Sequence, residues 1–142
     1  MNNQDLYRIA EQENIEVIPF SIPTSGSMSI TNDDGRCYVG IDTATCYSNI
    51  QERVKLAHEL GHCITGSFYN RYAAIDCRQR HENRADKWAI QKLIPVEALD
   101  DAIINGCTEI WELAEKFGVT EDFVRKAVCY YVHGNTATEL YF

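Results

Sequence analysis

The sequence lacks an excess of positive charge and has no long apolar run. Lys and Arg number 13 against 21 Asp and Glu, which gives a formal net charge of −8. Binding to nucleic acid or anionic lipid depends on Lys and Arg that displace counterions, so the chain is a poor generic binder of either. No stretch stays apolar over the roughly 18 residues that a membrane span needs. These absences argue against a membrane-spanning protein and against a general nucleic-acid-binding one.

The cysteines also lack the spacing of a metal-binding motif. The six cysteines contain no C-x-x-C pair, and a zinc knuckle made of thiolates is therefore not expected. The first residues are polar and acidic, without the basic-then-apolar order of a signal peptide. We therefore expect a cytoplasmic protein whose cysteines are free thiols.

The patterning of the 142 residues predicts one domain of class α+β. A small, mostly antiparallel sheet packs against a helical body in this prediction. β-branched residues and turn signals place an N-terminal helix and the sheet in residues 1–47. Helical periodicity predicts two helices in 48–94, further helices including a C-terminal pair in 95–133, and a tail in 134–142. In the second segment, one helix begins at Ser48 or Asn49 and the other covers about residues 81–93.

The motif His58-Glu59-Leu60-Gly61-His62 matches H-E-x-x-H. Residues four apart on a helix share a face, so His58 and His62 can bind one metal ion, with Glu59 beside it. Zinc accepts imidazole ligands, and a catalytic zinc keeps one position for a water whose pKa falls toward 7. Glu59 would take a proton from that water and pass it to the leaving amine. The competing interpretation is an amphipathic helix with its histidines on a polar rim.

Glu82 and Asp86, in the next predicted helix, extend the motif. The pattern E-x-x-x-D downstream of H-E-x-x-H resembles the arrangement of gluzincin-type metallopeptidases. The resemblance implies that Glu82 is the third metal ligand and that Asp86 binds the free nitrogen of His58, which fixes its tautomer. Ala85 and Ala89 flank this face and allow a close approach of the two helices. The competing interpretation is a solvated helix start, where acids are common.

Two longer runs, RVKLAHELGHCITGSFYN and HENRADKWAIQKLIP, resemble the ImmA/IrrE family of bacterial and phage metallopeptidases. That family carries HELGH on one helix and E-x-x-A-(D/N)-x-(F/W)-A…LP on the next. The second pattern is matched by Glu82, Ala85, Asp86, Trp88, Ala89, Leu93 and Pro95. The resemblance implies a single metallopeptidase domain over 1–142, with its metal-binding helices in 48–94. The implied cofactor is Zn²⁺, with Mn²⁺ or Fe²⁺ as alternatives.

The family resemblance also implies a function. It indicates a zinc-dependent endopeptidase of narrow specificity that cleaves a helix-turn-helix repressor of a phage or mobile element and so relieves repression. The partner would be this protein substrate, without direct binding to nucleic acid or membrane. The sequence does not specify an oligomeric state.

Peptide hydrolysis also needs a group that stabilises the oxyanion of the tetrahedral intermediate. The candidates are Tyr69, Tyr72, His81 and His133. A packing or exposed role is commoner for each of these residue types, so the sequence does not select among them.

The final helical pair supports a different function. Residues 110–128 resemble a helix-turn-helix, which would make the chain a DNA-binding or protein-binding regulator with a structural or inactive metal site. The second helix of this pair begins with Glu121 and Asp122, which offset Arg125 and Lys126. An acidic helix start is unfavourable next to phosphates, so the charges favour a packing or substrate-docking role.

Overall fold

The computed structural model describes residues 1–44, 48–69 and 72–142. These residues form six α-helices, three strands and a short 3-10 turn. In chain order they are α1 (Asn3–Gln12), β1 (Glu16–Pro19), β2 (Ser27–Thr31), β3 (Cys37–Ile41), α2 (Asn49–Thr65), α3 (Ile75–Leu93), α4 (Val96–Ile104), α5 (Ile110–Phe117), α6 (Glu121–His133) and the 3-10 turn (Thr138–Leu140). The predicted α+β class with a helical body is confirmed. Within the described ranges, no helix combines the length and apolar character that a bilayer crossing requires.

The sheet is mixed, with strand order β1-β3-β2. β2 and β3 form an antiparallel hairpin around a turn that includes Gly35, and Ser29 lies opposite Val39. β1 pairs with β3 in parallel, with Val17 opposite Val39. The expected mostly antiparallel sheet is thus right for one of the two pairings. The reason is that β3 returns between the first two strands, in the direction of β1, which leaves β2 at an edge.

The core lies between the inner face of this sheet and the helices. Val39 and Ile41 of β3 meet Leu56 and Leu60 of α2, and all four are at most 2% exposed. Alternation along the strands places apolar side chains on the outer face as well. These are Ile18, Phe20, Met28 and Ile30, which are exposed. α2 therefore packs on one face of the sheet only.

Local signals define α2 well. The Ser48 side chain accepts a hydrogen bond from the Gln51 amide, and Gly66 ends the helix in the left-handed conformation at φ 65°. The predicted start of α2 at Ser48 or Asn49 is confirmed. The next helix, α3, begins at Ile75, six residues before the predicted start. Ile75 is 81% exposed, so the first turn of α3 has no apolar stripe that would reveal it.

α2 and α3 touch backbone to backbone at Gly61. A Cβ atom at Gly61 would lie 2.5 Å from the Ala85 carbonyl oxygen and 3.0 Å from the Ala85 Cα. Ala85 and Ala89 are fully buried in the same contact. This agrees with the close approach that the small residues predict.

Gly61→Ala is therefore expected to push the two helices apart. Overpacking of this kind costs about 1 to 3 kcal/mol of unfolding free energy, and metal affinity should fall with it. Urea unfolding and zinc titration measure the two effects. Gly134→Ala is the control, since its new methyl group meets open space at the end of α6. Gly134→Ala should lower the unfolding free energy, because Gly134 has a positive φ, and should bind zinc as wild type does. Equal zinc affinity in the two variants would contradict the prediction.

Cys37 and Cys63 form a disulfide that joins β3 to α2. The expectation of free thiols is therefore wrong for these two residues. They are 26 residues apart, and the packing of α2 on the sheet brings their Cα atoms to 5.8 Å, which no spacing pattern reveals. The remaining described cysteines, Cys77, Cys107 and Cys129, are free, and Cys46 lies outside the described residues.

Reduction of this disulfide should lower the unfolding free energy, because a cross-link over this separation restricts the unfolded chain by about 3 kcal/mol. Urea unfolding with and without a thiol reductant measures the difference. Cys63→Ser should unfold at the same urea concentration under both conditions. A wild-type midpoint that does not respond to the reductant would contradict the prediction.

The C-terminal helices pack against the rest of the chain at several points. Gly118 connects α5 to α6 in the left-handed conformation, at φ 64°, and its carbonyl accepts a 2.6 Å hydrogen bond from Arg53 of α2. Beyond α6, the Thr136 hydroxyl lies 3.1 Å from the Asn83 side chain of α3. The tail therefore docks on the helix that carries Glu82.

Candidate metal centre and cleft

The three predicted ligands come together in the structure. One ligand atom each from His58, His62 and Glu82 lies within 4.8 Å of the other two. The Nε2 atoms of His58 and His62 lie 2.8 Å and 3.2 Å from the same Glu82 oxygen, Oε2. The two imidazole rings meet edge to face, with centroids 4.8 Å apart. Two nitrogens and one carboxylate oxygen therefore converge on one small volume.

The other ring nitrogens orient the imidazoles. Nδ1 of His62 lies 2.5 Å from the Ser67 carbonyl oxygen, and Nδ1 of His58 lies 2.8 Å from Asp86 Oδ1. A carbonyl oxygen only accepts, so Nδ1 of His62 carries a proton. In the contact with Asp86, Nδ1 of His58 is likewise the donor and a carboxylate oxygen is the acceptor. In the neutral ring, the Nε2 lone pair is then free for a metal. This donor set fits zinc.

Asp86 is held from a second side. Its side chain is buried, and its Oδ2 atom lies 3.4 Å from Lys126 Nζ of α6. The C-terminal helix thus supplies the cation that faces the carboxylate behind His58.

Electrostatic coupling within the cluster is strong. Burial lowers the pKa of His58, but hydrogen bonds with Asp86 and Glu82 outweigh it and raise that pKa to about 10. Burial likewise lowers the pKa of His62, and the hydrogen bond with Glu82 reverses the direction, so that the pKa is raised. Burial raises the pKa of Glu82, but hydrogen bonds from both histidines and Tyr69 hold it well below its usual range. In the metal-free protein, protons therefore occupy positions where a metal would bind, and a metal would need to displace these protons.

The metal-free protein should be most stable between about pH 4.5 and 6.5, the ordinary pKa values of Glu and His. The raised pKa of His58 gives stability that is complete below pH 6.5 and is lost as the pH rises toward 10. The lowered pKa of Glu82 gives stability that is lost as the pH falls below 4.5. Urea unfolding in chelator across this range measures the profile. His58→Gln should flatten the alkaline side, and an unchanged slope there would contradict the assignment.

Glu59 lies beside this cluster with its carboxylate buried against β2. The Ser27 hydroxyl is 2.8 Å from Glu59 Oε2, and the Ser29 hydroxyl is 3.0 Å from Oε1. Neither sequence motif includes these two serines. Their alternation along a strand is the available signal, but it does not reveal which helix the strand faces.

An open cleft of about 450 Å³ adjoins the cluster. Its walls come from the start of β2, the helices α2 and α3, and the segment after α2. They comprise Ser25, Ser27, Met28, Ser29, His58, Glu59, His62, Ser67, Phe68, Tyr69 and Glu82. The candidate ligands and Glu59 are thus accessible from one side.

Of the four oxyanion candidates, Tyr69 lies in this cleft. Its hydroxyl donates a 2.7 Å hydrogen bond to Glu82 Oε1, which raises the pKa of Tyr69 to about 12. His81 stacks on the Tyr69 ring at a centroid distance of 6.1 Å. Tyr72 is 78% exposed, and His133 stacks on Tyr141 near the C-terminus. Tyr69 is therefore the candidate among these four with a hydroxyl at the cluster.

The H-E-x-x-H motif on α2 and the convergence of His58, His62 and Glu82 form the arrangement that is typical of H-E-x-x-H metallopeptidases. The family model of the M78 peptidases, described as the IrrE N-terminal-like domain, matches residues 10–128. The chain belongs to this family, and the resemblance to ImmA/IrrE metallopeptidases is confirmed. Comparison with curated proteins and with solved structures gave no match.

Proposed function

We propose that the chain is a zinc-dependent endopeptidase of narrow specificity. The observation that carries the proposal is the convergence of His58, His62 and Glu82 next to Glu59 in an open cleft. In this proposal the first three residues bind the metal, Glu59 is the general base and Asp86 orients His58. Zinc suits two imidazoles and a carboxylate, and Mn²⁺ or Fe²⁺ accept the same donors.

The residues of the cleft divide the chemistry between them. Bound zinc would supply Lewis acidity toward the scissile carbonyl and lower the pKa of a nearby water. Glu59 takes a proton from the attacking water and delivers it to the leaving amine. We assign stabilisation of the oxyanion to the Tyr69 hydroxyl, which lines the same cleft and is a hydrogen-bond donor.

β2 provides a place for the substrate main chain. It is an edge strand, and Ser27, Met28 and Ser29 line the cleft. An extended peptide adds to such an edge through main-chain hydrogen bonds. We propose that the substrate binds in this way, with Met28 and Phe68 as apolar contacts for its side chains.

A helix-turn-helix repressor of a phage or mobile element is the proposed substrate. The family resemblance supports this assignment, and the net charge of −8 suits a basic, DNA-binding partner. Such a repressor acts in the cytoplasm, and we place the peptidase there as well, where the Cys37–Cys63 disulfide would meet reducing conditions.

Glu59→Gln should retain about one zinc per chain and lose cleavage by about 10² to 10⁴-fold, because the amide cannot accept the proton. Metal analysis measures the zinc content, and gel electrophoresis of a helix-turn-helix repressor incubated with each variant measures cleavage. Glu115→Gln, on the exposed side of α5, is the matched control and should cleave at the wild-type rate. Undiminished cleavage by Glu59→Gln would refute the role of Glu59.

The charges of α6 count against the alternative of a DNA-binding regulator. Lys126 faces Asp86, and Arg125 lies 2.8 Å from Asp122, so both cations are paired with acids of the same chain. In that alternative, a gel shift would survive removal of the metal and fail in a variant without Arg125 and Lys126.

A further inference from the structure

We propose that Ser27 and Ser29 are positioning residues for Glu59, and that through them β2 couples the docking of substrate to the alignment of the base. This inference rests on the proposed role of Glu59 as general base. The inference assigns a role in the site to two residues that lie outside both sequence motifs.

The geometry is that of a two-point clamp. Ser27 Oγ lies 2.8 Å from one Glu59 oxygen, and Ser29 Oγ lies 3.0 Å from the other. Residues two apart on a strand point to the same face, so the strand spacing matches the two oxygens of one carboxylate. An ionised carboxylate only accepts, and both hydroxyls therefore donate. One donor on each oxygen fixes the plane of the carboxylate as well as its position.

The burial of Ser27 and Glu59 strengthens this two-point clamp, and Ser29 is half-buried. Ser27 is 9% exposed and Glu59 is 7% exposed. A buried carboxylate without donors is costly, and hydrogen bonds to a charged group are stronger than those between neutral groups. The two hydroxyls thus hold the Glu59 carboxylate in one rotamer.

The clamp leaves room for catalysis. Each carboxylate oxygen has two lone-pair positions, and each serine takes one of them. The remaining positions can accept the proton of the attacking water. The hydrogen bonds of these two hydroxyls in the described residues go to Glu59 rather than to the three proposed ligands. Loss of the serines should therefore affect the base and leave the metal in place.

The segment that leads into β2 is anchored to the face of α2 that carries Glu59. Lys55 Nζ donates a 2.5 Å hydrogen bond to the Ser25 carbonyl, one helical turn before Glu59. The Ser25 hydroxyl in turn donates to the Ser27 carbonyl at 2.8 Å. A peptide that pairs with the free edge of β2 would fix the backbone that carries both serines. Correct docking of substrate would in this way keep the Glu59 carboxylate in the position that proton transfer requires.

The test compares Ser27→Ala, Ser29→Ala and the double variant with wild type. Misplacement of a catalytic group by about 1 Å costs up to about 100-fold in rate. We expect kcat to fall about 10-fold in each single variant and about 100-fold in the double variant. KM should stay within about twofold, because the substrate is proposed to pair with the main chain of β2 rather than with these hydroxyls. Zinc content should stay at the wild-type level, because neither hydroxyl binds the proposed metal ligands. Ser29→Thr keeps a hydroxyl and should restore kcat.

Thr31→Ala is the matched control, since Thr31 follows on the same strand face and is exposed. It should match wild type. Crystal structures give a readout independent of activity: the Glu59 carboxylate should leave its wild-type rotamer in the double variant. Wild-type kcat in the double variant, or a loss confined to KM or zinc content, would overturn the clamp. An inactive zinc-loaded wild type, or an active Glu59→Gln, would instead overturn the proposed function and this inference with it.

Discussion

Gly61 lets the backbone of α2 touch that of α3 at Ala85, and the distances within the candidate site follow from this contact. The histidines lie on one helix and Glu82 on the other, so the gap between the helices sets the separation of the ligand atoms. With the helices in contact, both Nε2 atoms lie about 3 Å from one carboxylate oxygen. Asp86, one turn further along α3, reaches the far side of His58 through the same approach. The absence of a side chain at Gly61 thus allows the proposed metal ligands and Asp86 to lie at these distances.

Two other elements complete the site from opposite sides. The strand β2 places hydroxyls on Glu59, and α6 places Lys126 next to Asp86. Neither element belongs to the helices that carry the two motifs. The buried carboxylates beside the histidines consequently have partners from distant parts of the chain, which is the condition for keeping charges in a buried position. The tail adds a further contact to α3 at Asn83.

The parts of the site that the sequence predicts are those that depend on local geometry. His58 and His62 are four residues apart, and so are Glu82 and Asp86, so the helical repeat alone places each pair on one face. Ser48 caps the first turn of α2, and Gly66 ends its last turn. Each residue acts on the turn next to it, so the sequence predicts its effect as well. The class of fold is predictable for a similar reason, because β-branched runs and turn signals indicate a few strands and helical periodicity indicates the helices that follow.

The remaining features depend on contacts between distant segments. The serine clamp and the Cys37–Cys63 disulfide exist because α2 packs on the sheet, and no spacing in the sequence encodes that packing. The parallel pairing of β1 with β3 depends on where β3 inserts, which turn signals do not specify. The predicted start of α3 was wrong for a different reason. The first turn of this helix faces solvent, and an exposed turn shows no helical periodicity of apolar residues.

The ion pair between Lys126 and Asp86 also bears on how small the working unit of this domain is. The segment from α2 to α3 contains the three proposed metal ligands, the proposed base Glu59 and Asp86. Transplanted alone into another scaffold, that segment would bring its ligands and base but leave behind the cation that faces Asp86 and the strand that holds Glu59. A designer who borrows this centre would therefore need to take three pieces of chain, separated by up to a hundred residues, rather than one helical hairpin.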